Sequence, residues 1–257
     1  MSTTEITSDS SDKPLLEVHQ LAKAFGNLNV FDNLSFQMGP REVLGVIGPN
    51  GAGKTTLINV LSGQLAASSG TVLLDRDPIS RLPFHARARK GMIRSFQHTN
   101  IFSEESVSEN LSRAKRFSSS THTDEDGARS LLDSFGLSDK LDHPAVDLPY
   151  GLQKMLGLVM VYITGPRVLL LDEPAAGLES RERILVDQFV ETALDRLSCG
   201  ILIVEHDMDM VRRLCPRLIV LDDGQILAEG DTADVLRRRE VIEAYLGVTE
   251  EKTDAEG

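Results

Sequence analysis

The sequence predicts an α/β fold in which a mostly parallel sheet carries helices on both faces, with a small antiparallel β part near the N-terminus. Continuous apolar runs, typical of strands buried on both faces, alternate along the chain with stretches of helical character. A segment of short helices and polar loops at about residues 98–160 interrupts this alternation and predicts an inserted helical subdomain. The chain has 257 residues, of which 41% are hydrophobic, so it is long enough to bury a large core.

Each element is predicted from a local pattern. Near the N-terminus, short runs with strand character predict strands at residues 15–19, 34–38 and 70–74. The core strands are predicted at residues 42–47, 168–171, 201–204 and 218–221. Helices are predicted at residues 55–61, 105–116, 125–135, 155–163, 181–197 and 208–214.

The two ends of the chain differ in composition from the part between them. Residues 1–13 are rich in Ser, Thr and Asp and have no apolar core, so they predict a disordered tail rather than a secretory signal. The acidic residues 249–257 predict a second disordered tail. Residues 14–248 between them are predicted to form one working domain.

Charge, cysteine content and hydropathy argue against several classes of protein. Lys and Arg total 27 against 39 Asp and Glu, and the net charge of −12 disfavours binding to nucleic acid or to an anionic lipid surface. Two cysteines with no C-x-x-C pair argue against a disulfide framework and a structural zinc site. No run approaches the roughly 18 apolar residues of a membrane span. Two basic clusters are interpreted as solvated helix faces. The first comprises Arg81, Arg87, Arg89 and Lys90, and the second comprises Arg237, Arg238 and Arg239.

A glycine-rich segment after the predicted strand at 42–47 fits the phosphate-binding pattern G-x-x-x-x-G-K-[ST]. Glycines let backbone N–H groups converge on phosphate oxygens, and the start of the following helix adds positive potential. Lys54 is predicted to pair with the β- and γ-phosphates, and the Thr55 hydroxyl to ligate Mg²⁺. The residues predicted to bind the nucleotide here are Gly48, Pro49, Asn50, Gly51, Ala52, Gly53, Lys54, Thr55 and Thr56.

Two carboxylates complete the predicted phosphate site. Asp172 and Glu173 follow the apolar run at 168–171, and ligands of open α/β sheets bind at the carboxyl ends of the strands. Asp172 is placed to hold Mg²⁺, directly or through water, and Glu173 to polarise an attacking water. The N-K-x-D motif by which GTPases read guanine does not occur. These two motifs alone are also compatible with a small-molecule kinase, which stays an alternative at this point.

Four further motifs follow the phosphate loop, and they are Arg94-Ser95-Phe96-Gln97, Leu148-Pro149-Tyr150-Gly151-Leu152-Gln153, Asp172-Glu173-Pro174-Ala175-Ala176-Gly177-Leu178 and Glu205-His206-Asp207-Met208. Together they resemble the ATP-binding subunit of ABC transporters, over nearly the whole chain from Leu15 to Gly247. Several of these segments, and Ala244-Tyr245-Leu246-Gly247, are similar to the branch that serves branched-chain amino acid and related amide importers. The resemblance implies a P-loop NTPase core of the RecA-like type.

The same resemblance implies a role for each matching position. Phe25 lies where the family stacks an aromatic ring on adenine, and Gly151 where the family contacts ATP bound to the opposite subunit. The implied catalytic residues are Glu173, His206 and Gln97, with His206 contacting the γ-phosphate. The implied ligands of Mg²⁺ are Thr55, Gln97 and Asp172.

One motif departs from the family pattern. The signature loop of the family reads L-S-G-G-Q, and Leu148, Pro149, Tyr150, Gly151 and Leu152 stand in its place. Because Pro149 has neither a hydroxyl nor a backbone N–H, it can donate nothing to a phosphate. Gly151 and the start of a helix remain, so a weakened anion site is expected. We therefore expect a heterodimer with a paralogous ATPase subunit rather than a homodimer with two equal sites.

The resemblance implies that the chain is an ATPase whose cofactors are ATP and Mg²⁺. Hydrolysis of ATP by the chain would drive import through separate transmembrane permease subunits. The chain would serve a periplasmic solute-binding protein indirectly, and no nucleic acid is expected as a partner. The expected location is the cytoplasmic face of the inner (plasma) membrane, as a peripheral protein, and branched-chain amino acids or related small polar solutes would be the cargo. The alternatives are an ATP-binding clamp subunit with little turnover and a soluble ABC ATPase outside transport.

Overall fold

A computed structural model describes residues 13–95, 101–117 and 124–246. The tails predicted at residues 1–13 and 249–257 lie outside this part of the chain, apart from Lys13, and Gln97 also lies outside it. The strands are β1 (Leu16–Phe25), β2 (Leu28–Met38), β3 (Val43–Ile47), β4 (Ser69–Leu74), β5 (Asp77–Pro78), β6 (Met92–Arg94), β7 (Val168–Asp172), β8 (Gly200–Val204), β9 (Arg217–Asp222) and β10 (Gln225–Asp231). The helices are α1 (Lys54–Ser62), α2 (Phe84–Arg89), α3 (Val107–Lys115), α4 (Glu125–Ser134), α5 (Tyr150–Ile163), α6 (Ser180–Leu197), α7 (Met208–Leu214), α8 (Thr232–Val235) and α9 (Arg239–Leu246).

The strands form two sheets. The larger sheet has the order β10-β9-β3-β8-β7-β6, in which only β10 is antiparallel to its neighbour. Every residue of β3, β7 and β8 is buried, as expected of central strands covered on both faces. The smaller sheet, β2-β1-β4-β5, is antiparallel throughout. The predicted α/β class, with a parallel core and an antiparallel β part, is confirmed.

The two faces of the large sheet belong to two apolar cores. Along β7, Leu169 and Leu171 pack into one core with the apolar faces of α3 to α7, whereas Val168 and Leu170 pack into the other with α1 and the antiparallel sheet. Alternate strand residues point to opposite faces, so a continuous apolar run fills both cores at once.

The first hairpin is longer than the sequence predicts. The prediction ends at residue 19, but β1 continues to Phe25 and turns at residues 26–27 into β2. The pairing of β1 with β2 shifts register three times between Val18 and Ala24, and Gln20 has a positive φ of 47°. Such bulges break the period-two alternation on which the prediction depends.

In the described parts of residues 95–167, three α helices lie between β6 and β7, as the predicted helical insertion requires. Ser106 and Glu109 form a capping box at the start of α3, and the Asp124 carboxylate accepts the backbone N–H of Gly127 at the start of α4. The Tyr162 hydroxyl of α5 donates to Asp124 at 2.6 Å and so ties α5 to α4. The boundaries at residues 98 and 160 stay a prediction.

One basic residue contradicts the interpretation of its cluster as a solvated helix face. Arg87 of α2 is only 1% exposed, and its guanidinium donates to four backbone carbonyls. Two of those carbonyls belong to Val60 and Leu61 in the last turn of α1, where C=O groups lack the usual partners of the helix interior, and the Val60 carbonyl also accepts the N–H of Gly63 at 3.2 Å. The charge of Arg87 is therefore internal and caps α1. Among the described helices, none is long and apolar enough to cross a membrane.

Candidate functional site

The segment between β3 and α1 is shaped by two of its glycines. Gly48 has φ of +157°, and a Cβ there would lie 2.1 Å from the backbone oxygen of Leu221. Gly53 has φ of +97° and immediately precedes α1, in a left-handed conformation that a side chain disfavours. The predicted phosphate loop thus has the close backbone approach and the strand-to-helix position that its motif requires.

Lys54 is folded back onto this loop. Its Nζ donates to the carbonyl oxygen of Gly48 at 2.6 Å and to that of Pro49 at 2.9 Å. Burial lowers the pKa of Lys54, and the negative charges of Glu173 and Asp172 oppose that change. The strand before Lys54, β3, and the strand that carries the two carboxylates, β7, are both parallel neighbours of β8. The three residues therefore lie at the same edge of the sheet, although they are far apart in sequence.

Asp172 and Glu173 stand at the carboxyl end of β7, as predicted. Asp172 is 4% exposed, and its Oδ2 accepts a hydrogen bond from Arg94 Nη2 at 2.8 Å. Glu173 has a positive φ of 47°, and its backbone N–H donates to Val204 of the neighbouring strand at 2.9 Å. An L-residue in this conformation is strained, and such strain is concentrated at functional sites.

His206 stands at the end of the adjacent strand β8 and faces Glu173. Its Nδ1 lies 3.7 Å from Glu173 Oε1, and its side chain is 65% exposed. The preceding residue, Glu205, is 1% exposed and accepts the backbone N–H groups of Ala175 at 3.0 Å and of His206 at 3.1 Å. Glu205 therefore joins the turn after Glu173 to the turn that holds His206. No role is predicted for Glu205 from the sequence, although its position between a strand and His206 is a usable signal.

The segment that replaces the family signature begins α5. Pro149 precedes the helix and provides no side-chain cap. Gly151 is buried against α6, where a Cβ would lie 1.8 Å from Glu182 Oε1. Lys154, 7% exposed, donates from Nζ to the carbonyl of Ala176 at 2.6 Å, and burial lowers its pKa. The first turns of α5 are thus tied to the segment that follows Glu173.

The remaining predicted residues differ in how much the structure says of them. Phe25 ends β1 with 47% of its surface exposed, and the Lys23 ammonium lies 4.5 Å from the centre of its ring. Gln97 lies outside the described residues. Thr55 is exposed on the first turn of α1, and with Asp172 it offers the oxygen donors that Mg²⁺ prefers. These donors fit a Mg²⁺ ion that takes most of its other ligands from phosphate and water.

A C-terminal residue also approaches the phosphate loop. The hydroxyl of Tyr245 on α9 is buried and makes no hydrogen bond within the described part of the chain, and the backbone N–H of Gly48 nearby acts to lower its pKa. Burial has the larger effect and raises the pKa of Tyr245 to about 12. In sequence this residue appears only as part of a motif shared with one branch of the family, because nothing local predicts its contact with Gly48.

Comparison with known proteins agrees with this architecture. Residues 31–176 match the ABC transporter family. The chain is 36% identical to the high-affinity branched-chain amino acid transport ATP-binding protein LivG of Escherichia coli K12, over 91% of this chain and 98% of that protein. It is 33% identical to the corresponding protein BraF of Pseudomonas aeruginosa, with the same coverage. The crystal structure of the ADP conformation of MJ1267, an ATP-binding cassette of an ABC transporter, is 29% identical and superposes with a TM-score of 0.78, over 91% of this chain and 99% of that one.

The family match and the relatives above 30% identity cover most of the chain, and the fold agrees with the solved cassettes. The phosphate loop, the paired carboxylates and the histidine predicted from the sequence follow neighbouring parallel strands and so lie at one edge of the large sheet. The chain therefore belongs to the ABC transporter family, as a nucleotide-binding ATPase subunit.

Proposed function

We propose that this chain hydrolyses Mg²⁺-ATP to drive the import of branched-chain amino acids or closely related small polar solutes. The observation that carries the proposal is the placement of Lys54, Asp172, Glu173 and His206 at the carboxyl ends of three neighbouring parallel strands. The cargo is inferred from the similarity to LivG and BraF, which are branched-chain amino acid transport proteins.

Each residue has a chemical task in this proposal. The N–H groups of the loop and the start of α1 bind phosphate oxygens, and Lys54 exchanges its two loop carbonyls for the β- and γ-phosphates. Glu173 orients the attacking water, and His206, 3.7 Å away, stabilises charge on the γ-phosphate.

The proposed ligands of Mg²⁺ are Thr55, Asp172 and Gln97. When bound, the ion neutralises charge on the phosphate oxygens. Phe25 is the proposed platform for the adenine ring, since half of its surface is open to a stacking partner.

Import can be tested with the whole transporter in proteoliposomes, with a matched pair of variants. Glu173→Gln removes the charge that orients water and should reduce ATP-driven uptake of labelled leucine at least about a hundredfold. Glu191→Gln changes an exposed glutamate of α6 in the same way and should leave uptake unchanged. Uptake that unlabelled leucine, isoleucine and valine fail to compete would contradict the proposed cargo.

The permease subunits and the membrane location belong to the same proposal. Because no described helix can span a bilayer, we propose that the chain attaches to transmembrane permease subunits by protein contacts at the cytoplasmic face of the inner membrane. A periplasmic solute-binding protein would act on the far side of those permeases. Copurification of the chain with a membrane protein tests this arrangement, and a chain that purifies alone from solubilised membranes would contradict it.

We further propose that the chain pairs with a paralogous ATPase subunit. Pro149 can donate nothing to a phosphate of the opposite site, and Gly151 lies against the carboxylate of Glu182. Loss of one donor to a developing negative charge costs about 3 kcal/mol, or roughly a hundredfold in rate. A homodimer would impair both sites, whereas a partner with an intact signature would leave one good site, at Lys54 and Glu173 of this chain.

Separate changes in the two subunits test the asymmetry. Glu173→Gln in this chain should abolish most of the turnover of the assembled complex, and the equivalent change in the partner should cost less. The reverse order would show that the productive ATP is bound by the partner. Pro149→Ser should raise hydrolysis at the partner's site, and no gain would mean that Gly151 and the start of α5 suffice.

A further inference from the structure

A buried arginine that has no part in the proposed mechanism joins three elements around the predicted metal site. Arg94 ends β6 and is 7% exposed. Its Nη2 donates to Asp172 Oδ2 at 2.8 Å, and its Nη1 donates to Asn59 Oδ1 and to Gln64 Oε1, each at 2.5 Å. Asn59 lies in α1 and Gln64 shortly after it, so one guanidinium connects β6, β7 and the helix that follows the phosphate loop.

These contacts fix the orientation of the Asp172 carboxylate. Both members of the ion pair are almost completely buried, with 6% and 5% of their side chains exposed. A carboxylate has two oxygens, and the hydrogen bond from Arg94 occupies Oδ2. It leaves Oδ1 for another ligand and prevents the carboxylate from rotating away from it.

The same arginine sets the distance between the two described metal-ligand candidates. Asn59 is one helical turn after Thr55, so the two side chains lie on the same face of α1. Arg94 holds Asn59 with one nitrogen and Asp172 with another. Any shift of α1 relative to β7 must therefore break a charged, buried hydrogen bond before Thr55 and Asp172 can move apart.

We propose that Arg94 is the positioning residue of the Mg²⁺ site, holding Asp172 and the Thr55 face of α1 in the spacing that binds the ion with ATP. The proposal rests on the assignment of Asp172 as a metal ligand in the proposed function. Outer residues that orient a metal ligand change metal affinity by about 10- to 100-fold when they are replaced. Arg is suited to this task because its planar guanidinium presents donors on separate nitrogens in a rigid fork, whereas the donors of Lys all lie on one nitrogen at the end of a flexible chain.

Nucleotide binding with and without the metal tests the proposal without any measurement of turnover. The readout is the Kd of ATP in excess Mg²⁺ compared with its Kd in EDTA, measured by calorimetry on the full chain. Arg94→Met should reduce the Mg²⁺-dependent gain in affinity about tenfold and change the metal-free Kd by less than about twofold. Electron paramagnetic resonance of Mn²⁺ with ATP should show the same loss of bound metal.

Arg87→Met is the matched control, because Arg87 is also buried but contacts only backbone carbonyls around the end of α1. It should lower the melting temperature and leave the Mg²⁺-dependent gain unchanged. An equal loss of that gain in both variants would mean that destabilisation explains it, and the proposal would be wrong. An unchanged gain in Arg94→Met would also overturn it.

Two further variants keep the test decisive. If Arg94→Met does not fold, Asn59→Ala retains the ion pair but frees the guanidinium from α1, and it should reduce the Mg²⁺-dependent gain about threefold. No change in Asn59→Ala would then overturn the proposal.

Asp172→Asn separates this inference from the proposed function. If Asp172→Asn retains the full gain, the assignment of Asp172 as a metal ligand fails, whereas a loss there with none in Arg94→Met refutes only the role of Arg94.

Discussion

Replacement of Arg87 by methionine should destabilise the protein strongly although no catalytic group is touched. The guanidinium donates to the carbonyls of Val60, Leu61, Ser80 and Leu82 at 2.7–2.9 Å. Methionine fills much of the same volume but can donate to none of these oxygens. Burial lowers the pKa of Arg87, so the native protein already bears part of the cost of keeping this charge away from water.

The magnitude follows from the four hydrogen bonds. At about 1 kcal/mol for each, their loss predicts a cost of roughly 4 kcal/mol. Removal of the buried charge offsets part of that cost, so a net loss of about 3 kcal/mol is expected. For a domain of this size, each kcal/mol lowers the melting temperature by about 2–4 °C, which gives a decrease of about 9 °C.

Thermal unfolding followed by circular dichroism measures this change, with urea unfolding as a second probe. Arg89→Met is the matched control, because Arg89 lies on the same helix and is exposed. It should shift the melting temperature by less than about 2 °C. Equal shifts in the two variants, or a shift below about 3 °C for Arg87→Met, would refute the role of Arg87 as the cap of α1.

Three further changes test other contacts. Gly151→Ala should cost about 1 kcal/mol, because its Cβ would displace the Glu182 carboxylate that caps α6, as equilibrium unfolding can show. Gly157 lies on the same helix with open space around it, so Gly157→Ala should instead stabilise the protein by about 1 kcal/mol. If both variants changed the free energy of unfolding in the same direction, the close contact of Gly151 with Glu182 would be contradicted. Burial raises the pKa of Cys199 and Cys215 to about 12, so alkylation of these thiols in the native protein should stay slow as the pH rises from 7 to 10. The free energy of unfolding should fall above about pH 9, because the thiols ionise there in the unfolded chain but not in the folded protein. Rapid native labelling of both thiols at pH 9, read by mass spectrometry, would show that they are exposed.

The sequence predicts an element well where local signals agree. The helix predicted at 208–214 has the same bounds as α7, because the Asp207 carboxylate accepts the N–H groups of Asp209 and Met210 and so fixes its start. The strand predicted at 168–171 differs from β7 by one residue, since its apolar run is uninterrupted. Burial on both faces and a capping side chain are both visible in a local stretch of sequence.

Other features depend on contacts between distant segments. In the sequence Arg87 looks like an ordinary basic residue, and Arg94 is part of a motif that assigns it no role. Only the fold shows that Arg87 meets the end of α1 and that Arg94 meets Asp172. The short β6, β5 and α2 have too few residues for a periodic pattern. Glu205 is likewise revealed by its backbone partners rather than by its motif. The candidate residues of the phosphate site come from motifs and stay a prediction, whereas the contacts of Arg87, Arg94 and Glu205 could not be predicted from a local stretch of sequence.

We propose that ATP is hydrolysed on the Lys54 loop of this chain, with Glu173 orienting the water. A single-turnover experiment with γ-labelled ATP on the purified transporter tests it most directly, by measuring bound ATP and released phosphate in the same sample. We expect the Glu173→Gln complex to retain ATP binding and to release phosphate at least about a hundredfold more slowly, and the Glu191→Gln complex to behave as the wild type. Phosphate release at the wild-type rate from a Glu173→Gln complex would contradict it.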